Sequence, residues 1–356
     1  MKNSRGSGSV TVDHVAAHAG VSIKTVSRVL NNEANISART RERVQASMAE
    51  LKYHPNPSAR RLASKRSDLI VLLYDDPNDS HLVQLQHGAL DACRRSFHSL
   101  LLHPVDYRSP TLADDVLQLV RQRACAGLVL TAPVCDVPAL VRALDASDVP
   151  FARLAPFTPS ARGHAVRAPD RLAAQAMTAH LLGLGHRRIG FVRGHADHGV
   201  MHERLHGYRD ALDDAGVAAD ESLIEAGSNT FESGVQAGRR LLARAARPSA
   251  IFASNDEMAA GVLYAAHALG IDVPAALSVA GCDDTPISRQ TWPALSSVRL
   301  PAREMARAAV EQLVARGAPV PAARLDYALV PRESTALAAA RRSSPPARTF
   351  ADALDA

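Results

Sequence analysis

The chain has 356 residues, 47% apolar and only 4% aromatic, with a formal net charge of +5. That length fits one small domain joined to a larger one, and the composition suits an ordinary α/β protein. A membrane span is not expected, since no stretch of about 18 apolar residues occurs, and "MKNSRGSGSV" lacks the apolar core of a secretory signal.

The charge is unevenly placed. Residues 1–68 hold 12 of the 41 Lys and Arg but only 5 of the 36 Asp and Glu, the footprint of a polyanion-binding module on a near-neutral body. Cys93, Cys125, Cys135 and Cys282 form no CxxC pair and read as reduced thiols of a cytoplasmic protein.

Residues 1–9 are Gly- and Ser-rich, a composition that favours disorder. From Thr11, "TVDHVAAHAG" puts Val12, Val15, Ala16 and Ala19 on one helical face and stops at Gly20. Ser22 suits the N-cap of a second helix, "SIKTVSRVLNN", with Ile23, Val26, Val29 and Leu30 at helical spacing. A third helix follows from Ser37. Two helices joined around a glycine, then a third, make a helix-turn-helix arrangement over residues 10–55. In "HPNPSARRLASKRS", Asn56 can cap and Pro57 can open a short helix over 56–66, marginal by itself.

After Ser67 the texture changes. "DLIVLLYDD", "SLLLHPVD", "AGLVLTA" and "VPFARLA" read as buried strands alternating with helices. A second series follows, with strands at "RRIGFVRG", "SLIEAG", "SAIFASND" and "LSVAGCDD". Two such series predict two lobes, each a parallel sheet flanked by helices, with a crevice between them. The tail from Arg341 has Pro-Pro and no heptads, so no coiled-coil tetramer is expected.

The first stretch, "VTVDHVAAHAGVSIKTVSRVLNNEANISARTRERVQASMAELKYHPNPSARRLA", resembles the head of the lactose-repressor/galactose-repressor family of bacterial transcription regulators. The body resembles the same family at "GLGHRRIGFVRG", "ERLHGYRDAL", "SAIFASNDEMAAGVL", "LSVAGCDDTPIS" and "VPRESTA". The similarity covers roughly residues 10–338. It implies an all-α helix-turn-helix head, a hinge helix and a two-lobed body like the periplasmic sugar-binding proteins, the whole α/β in class. The effector-binding and dimerisation domain would span 67–340, with an N-lobe of about 68–168 and 300–329 and a C-lobe of about 169–299 and 330–340, before a flexible tail over 341–356.

By that resemblance the second helix enters the major groove of double-stranded, near-palindromic operator DNA as part of a homodimer. Ile23, Lys24 and Arg28 would face bases: Lys24 and Arg28 donate to guanine, and Ile23 packs on a thymine methyl. Ser22, Thr25, Ser27 and Asn31 would hold phosphates. In the hinge, Leu62 would act as a minor-groove wedge, with Asn56, Ala59 and Ala63 matching the same motif.

In the body, Arg204, Asn255 and Asp283 fall where the family contacts its effector, and a guanidinium fork facing a carboxylate suits vicinal sugar hydroxyls. Asn78, Asp79, His81, Asn229, Phe231 and Trp292 are further candidates, and the crevice they imply is mostly polar, with Trp292 at its rim. Asp256 reads as the cap of the helix that starts near Glu257. Structural ion pairs across the crevice are the alternative for the charged residues.

The chain also departs from the family. His81 and Leu82 replace a frequent aromatic, Ala155 with Arg153 nearby replaces an Asp, and Asn229 with Phe231 replaces another aromatic. The effector identity therefore cannot be copied from a known member, and no aromatic clamp for a purine is evident.

His195, His198, His202 and His206 lie close together, the last three at i, i+4, i+8, a spacing that could offer zinc one helix face. With no cysteine near, sugar hydrogen bonding or solvation is favoured; the same holds for His14 and His18. Neither a metal nor a cofactor is expected beyond a small-molecule effector.

Two other classes fit the sequence less well. A dinucleotide enzyme needs a glycine fingerprint after its first strand, and "DLIVLLYDDPND" has none. A periplasmic binding protein would need a signal peptide and no basic head. The expectation is a sugar-responsive, DNA-binding repressor of a carbohydrate-utilisation operon, working at the nucleoid and carrying no enzymatic activity.

Overall fold

The computed structural model describes residues 10–30, 36–53, 67–75, 79–315 and 325–338, with Asp79 described through its backbone alone. Asn31, Asn78, the hinge residues Asn56, Ala59, Leu62 and Ala63, residues 1–9 and the tail over 341–356 lie outside that set. The chain divides after Ser67 into two compact units.

The first unit holds α1 (Val12–Ala19), α2 (Ile23–Leu30) and α3 (Ala38–Glu50). Its core joins Val15, Ala16 and Ala19 of α1, Val26 and Val29 of α2, and Val44 of α3. Gly20 ends α1 in the left-handed region at φ 60°, which a residue without Cβ adopts without strain. Ser22 Oγ accepts the Thr25 N–H at 3.1 Å and Ser37 Oγ the Thr40 N–H at 3.3 Å, so each following helix starts on a side-chain cap. His14 and His18 serve this helical frame rather than each other: the His14 ring accepts the Thr11 N–H at 3.0 Å, and His18 lies 3.4 Å from Glu50.

The second unit contains the two expected lobes. The N-lobe sheet is parallel in the order β2-β1-β3-β4-β5: β1 Leu69–Tyr74, β2 Ser99–Pro104, β3 Gly127–Leu130, β4 Phe151–Leu154 and β5 His164–Val166. Its helices are α4 (Asp79–Arg95), α5 (Leu112–Arg123) and α6 (Pro138–Asp145). β1 pairs with β2 and β3 in register from Leu69–Ser99 and Ile70–Gly127, and Ile70 to Leu73 are wholly buried, as a strand covered on both faces requires.

The C-lobe sheet is also parallel, β7-β6-β8-β9: β6 Ile189–Arg193, β7 Ile224–Ala226, β8 Ala250–Ala253 and β9 Ser278–Ala280. It is flanked by α7 (Asp170–Gly183), α8 (Gly199–Asp214), α9 (Phe231–Leu242) and α10 (Asp256–Ala268). Phe191 of β6 stacks on Tyr208 of α8 at 4.8 Å and meets Phe252 of β8 edge-on at 5.4 Å.

The chain passes between the lobes more than once. α11 (Ala302–Val314) packs Ala306, Ala309 and Val310 into the N-lobe core, after β10 (Ser297–Arg299) has placed Val298 in the C-lobe core. β11 (Ala328–Val330) then pairs antiparallel with β10.

Candidate functional site

Parallel strands send their carboxyl ends to one edge of a sheet, and ligands collect in the crevice outside those ends. Here both sheets do so. Thr131 and Ala132 follow β3 and Ala155 follows β4; His198, Asn229, Asn255 and Asp283 follow β6, β7, β8 and β9, and all line one cavity between the lobes.

Its charged centre is Arg204, inside α8 and 3% exposed. Arg204 Nε donates to Asp170 Oδ1 at 2.8 Å, Nη2 to Asp283 Oδ1 at 2.8 Å, and Nη1 to the Ser254 carbonyl. Burial opposes the guanidinium charge, but Asp283 and Asp170 outweigh it and hold the group protonated well above its ordinary range. Burial raises the Asp170 carboxyl, with Arg204 pulling the other way. The sequence reading missed Asp170. Its signal was local: an acid at the first position of α7, directly after Pro169.

Asn255 is the N-cap of α10. Its Oδ1 accepts the Met258 N–H at 2.9 Å and its Nδ2 donates to the Asn229 carbonyl at 2.9 Å, so much of its polar capacity goes to the frame. Asp256 is not the cap. It is the first helical residue, wholly buried, accepting from Ser297 Oγ at 2.6 Å and Thr285 N at 2.7 Å. Burial, then the charge of Asp283, pushes its carboxyl up to about 8. Ala155, Asn229 and Asp283 all have positive φ, at 51°, 65° and 102°. Each such residue costs about 1–3 kcal/mol and tends to mark a site where geometry is fixed for use.

The two walls differ. The C-lobe wall carries Asp170, His198, Arg204, Asn229, Asn255 and Asp283 beside the apolar Val200 and Met201; the N-lobe wall is Leu85, Ala132, Leu154, Ala155, Ala302 and Met305, with only His81 and Thr131 polar. The Thr131 hydroxyl donates to the Leu73 carbonyl at 3.3 Å. A mostly polar crevice is therefore found on one side only, because Ala155 stands where an acid was usual and Arg153 turns away. Arg153 is 1% exposed and donates to Cys135 O at 2.7 Å, Asp136 Oδ1 at 2.9 Å and Thr158 Oγ1 at 2.7 Å.

Two expected aromatics are not brought to the cavity. Phe231 starts α9 and sets its ring against Tyr264 at 5.8 Å. Trp292 is 96% exposed and not part of the crevice lining, since its loop carries it to open surface. His81 does reach the wall, and Leu82 is buried in the N-lobe core.

The four histidines separate into four environments. His198 is the N-cap residue before α8, not part of the helix, and is 6% exposed. His195 lies 3.3 Å from Arg108 Nη2. His202 Nε2 is 3.0 Å from the Ala196 carbonyl, and the ring lies 5.8 Å from Phe157. His206 is on the surface beside Glu203 at 3.7 Å. Among the described residues no three His, Cys, Asp or Glu converge as a metal site, and no helix is long and apolar enough to cross a membrane. All four cysteines are free thiols.

In the first unit α2 presents a second candidate surface. Val26 and Val29 face inward while Ile23 is 50% exposed, so Ile23 does not join the apolar stripe its spacing suggested. Ser22, Lys24 and Ser27 are exposed and Thr25 and Arg28 half-buried. Ser22 Oγ also lies 2.9 Å from Thr25 Oγ1.

Residues 11–56 match the bacterial regulatory proteins of the lacI family, and residues 178–335 match the periplasmic binding protein-like domain. The chain is 33% identical over 308 residues to the HTH-type transcriptional regulator GalR of Escherichia coli K12, covering 86% of this chain and 88% of GalR. It is 33% identical over 315 residues to the regulator CelR of Thermobifida fusca, covering 85% and 92%. Among solved structures it resembles a CelR–cellobiose complex at 31% identity and TM-score 0.70, covering 91% of this chain and 99% of that one. It also resembles a lac repressor dimer bound to operator and the anti-inducer ONPF, at 29% identity and TM-score 0.71, covering 92% and 100%. These relatives are transcriptional regulators, not enzymes.

Proposed function

The chain belongs to the LacI family of bacterial regulatory proteins, and from that premise we propose a sugar-switched repressor of a carbohydrate-utilisation operon, dimeric on a near-palindromic operator and acting in the cytoplasm. A small sugar or glycoside binds between the lobes, its hydroxyls on Arg204 and Asp283, with Asn255 beside them. His81 borders it, and the family resemblance adds Asn78 and Asp79. The observation that carries this reading is the buried Arg204 fork, held ready by Asp170 and Asp283 at the mouth of four converging strands. Such a preformed donor-and-acceptor pair matches vicinal hydroxyls.

On the DNA side, Ile23, Lys24 and Arg28 read bases while Ser22, Thr25, Ser27 and Asn31 hold the backbone. The exposure of Ile23 supports this, because an isoleucine left out of a small core has a use elsewhere. Residues 10–55 form the head and 56–66 the hinge, where Leu62 wedges the minor groove beside Asn56, Ala59 and Ala63. The body is 67–340. Effector binding shifts the lobes and so biases the hinge between ordered and released.

The experiment is fluorescence anisotropy at fixed salt on a near-palindromic duplex selected in vitro. Lys24→Ala should weaken that duplex by about 1–3 kcal/mol while barely changing a random duplex. Equal losses on both duplexes would remove Lys24 from base reading.

A further inference from the structure

We propose that His198 reads the effector directly, its Nε2–H donating to an acceptor oxygen of a neutral ligand, the hydroxyl, ring or glycosidic oxygen of a carbohydrate. This rests on the reading of the crevice as the effector site, and it gives a role to one member of a histidine run that otherwise resembles surface decoration.

Asn229 sets the protonation of the His198 ring. Its Oδ1 accepts the His195 backbone N–H at 3.1 Å, which fixes which end of the amide is oxygen. The other end, Nδ2, therefore lies against His198 Nδ1, at 3.4 Å. An amide nitrogen only donates, so Nδ1 must be the bare, accepting nitrogen of the ring. The single imidazole proton then sits on Nε2.

Gly194 makes room for this arrangement, since a Cβ there would fall 2.2 Å from Asn229 Oδ1 and 2.5 Å from Met201 Sδ. Asn229 is itself held at φ 65°, and its carbonyl accepts from Asn255 Nδ2. The tautomer is thus set by Asn229, itself held by the His195 N–H and Asn255.

The ring is 6% exposed and lines the cavity, and among the described residues its Nε2 has no hydrogen-bond partner. An imidazole N–H on a cavity wall with no described protein partner is available to a ligand oxygen in place of water. Burial first, then the neighbouring His195 and His81, press the imidazole down to about 4, so at neutral pH it is an uncharged donor. With Arg204 and the carboxyl groups of Asp170 and Asp283 on the same wall, the C-lobe side offers donors and acceptors together, the pattern that hydroxyl groups match. The ligand is therefore a neutral, oxygen-bearing molecule whose other face meets the apolar N-lobe wall.

Two measurements on the full chain test this. Selective histidine 15N NMR at pH 7, with the resonance assigned by its loss in His198→Gln, should show Nδ1 bare and Nε2 protonated; a proton on Nδ1 overturns the proposal. A thermal-shift panel of cellobiose, methyl and o-nitrophenyl glycosides of glucose and galactose, adenine and arginine then selects compounds for calorimetry. For any compound that binds, His198→Phe should weaken affinity about tenfold, while His198→Gln, which keeps a donor, and His202→Ala should stay within about threefold. His198→Phe binding within twofold of the wild type overturns the proposal, as does equal loss in His202→Ala. Binding of adenine alone defeats the parent carbohydrate reading, and His198→Phe on adenine then decides the present one. Arginine as the sole ligand, or a panel that stabilises nothing, counts against both.

Discussion

The N-lobe wall and the C-lobe wall of the crevice both gather at the carboxyl ends of parallel strands, from loop and helix residues alike, yet their polar groups are concentrated on the C-lobe side. On the C-lobe side, Arg204 bonds one oxygen of each of two buried carboxyl groups, Asp170 and Asp283; facing it stand Leu85, Leu154, Ala155 and Met305. The fold places a wall, and the residue at each strand end decides what that wall can recognise. A ligand that satisfies both sides has hydroxyls on one face and apolar surface on the other, which suits a glycoside with an apolar substituent better than a free sugar exposing hydroxyls all round.

The largest effect should come from breaking the polar wall. Arg204→Met leaves Asp170 and Asp283 buried without their partner, and loss of one member of such a cluster costs about 3–5 kcal/mol. Urea unfolding should show that loss, and a change under about 1 kcal/mol would mean the cluster is solvated. A smaller effect on the same wall is set by pH. His198 falls to about 4 in the folded chain from the ordinary 6.5. Between those values the unfolded chain binds more protons, so this contribution is complete above 6.5 and is lost as pH drops towards 4. The wild type should therefore lose about 2 kcal/mol more than His198→Gln between pH 7 and 5. Identical pH profiles for the two would place His198 in contact with water.

The apolar wall is probed by adding to it. Ala155 sits at φ 51°, a conformation Asp tolerates better than most residues, so Ala155→Asp should fold and supply the missing acceptor. Calorimetry should show free sugars gaining about 1–2 kcal/mol relative to aryl glycosides. No change in that ratio would mean ligand does not reach this wall.

The chain's periodicity revealed much of this architecture and little of this asymmetry. The buried runs "LIVLLY" and "AIFA" announce central parallel strands, and both lobes follow from their alternation with helices. The short strands β5, β10 and β11 stand outside the strand–helix alternation that reveals the equally short β7 and β9, and α11, "AREMARAAVEQLV", has helical spacing but no place in that alternation. Arg204 and Asp283 came from family resemblance. Asp170 lies 34 residues from Arg204 in the chain, and no local pattern connects them. The spacing sets His198 on one helix face with His202 and His206, because the helix start at Gly199, which separates it from them, depends on backbone geometry. Trp292 looked like a sugar-stacking ring by residue type, but its loop leaves it in solvent.

The central claim is that one ligand in this crevice controls the grip on DNA, and linkage makes that directly measurable. Titrate the selected duplex by anisotropy with and without saturating ligand, then titrate the ligand by calorimetry with and without saturating duplex. The account predicts that operator affinity changes at least fivefold and that ligand affinity changes by the same factor, since coupling between two sites is reciprocal. Operator affinity unchanged within twofold at saturating ligand, with the ligand bound in the crevice, would contradict it.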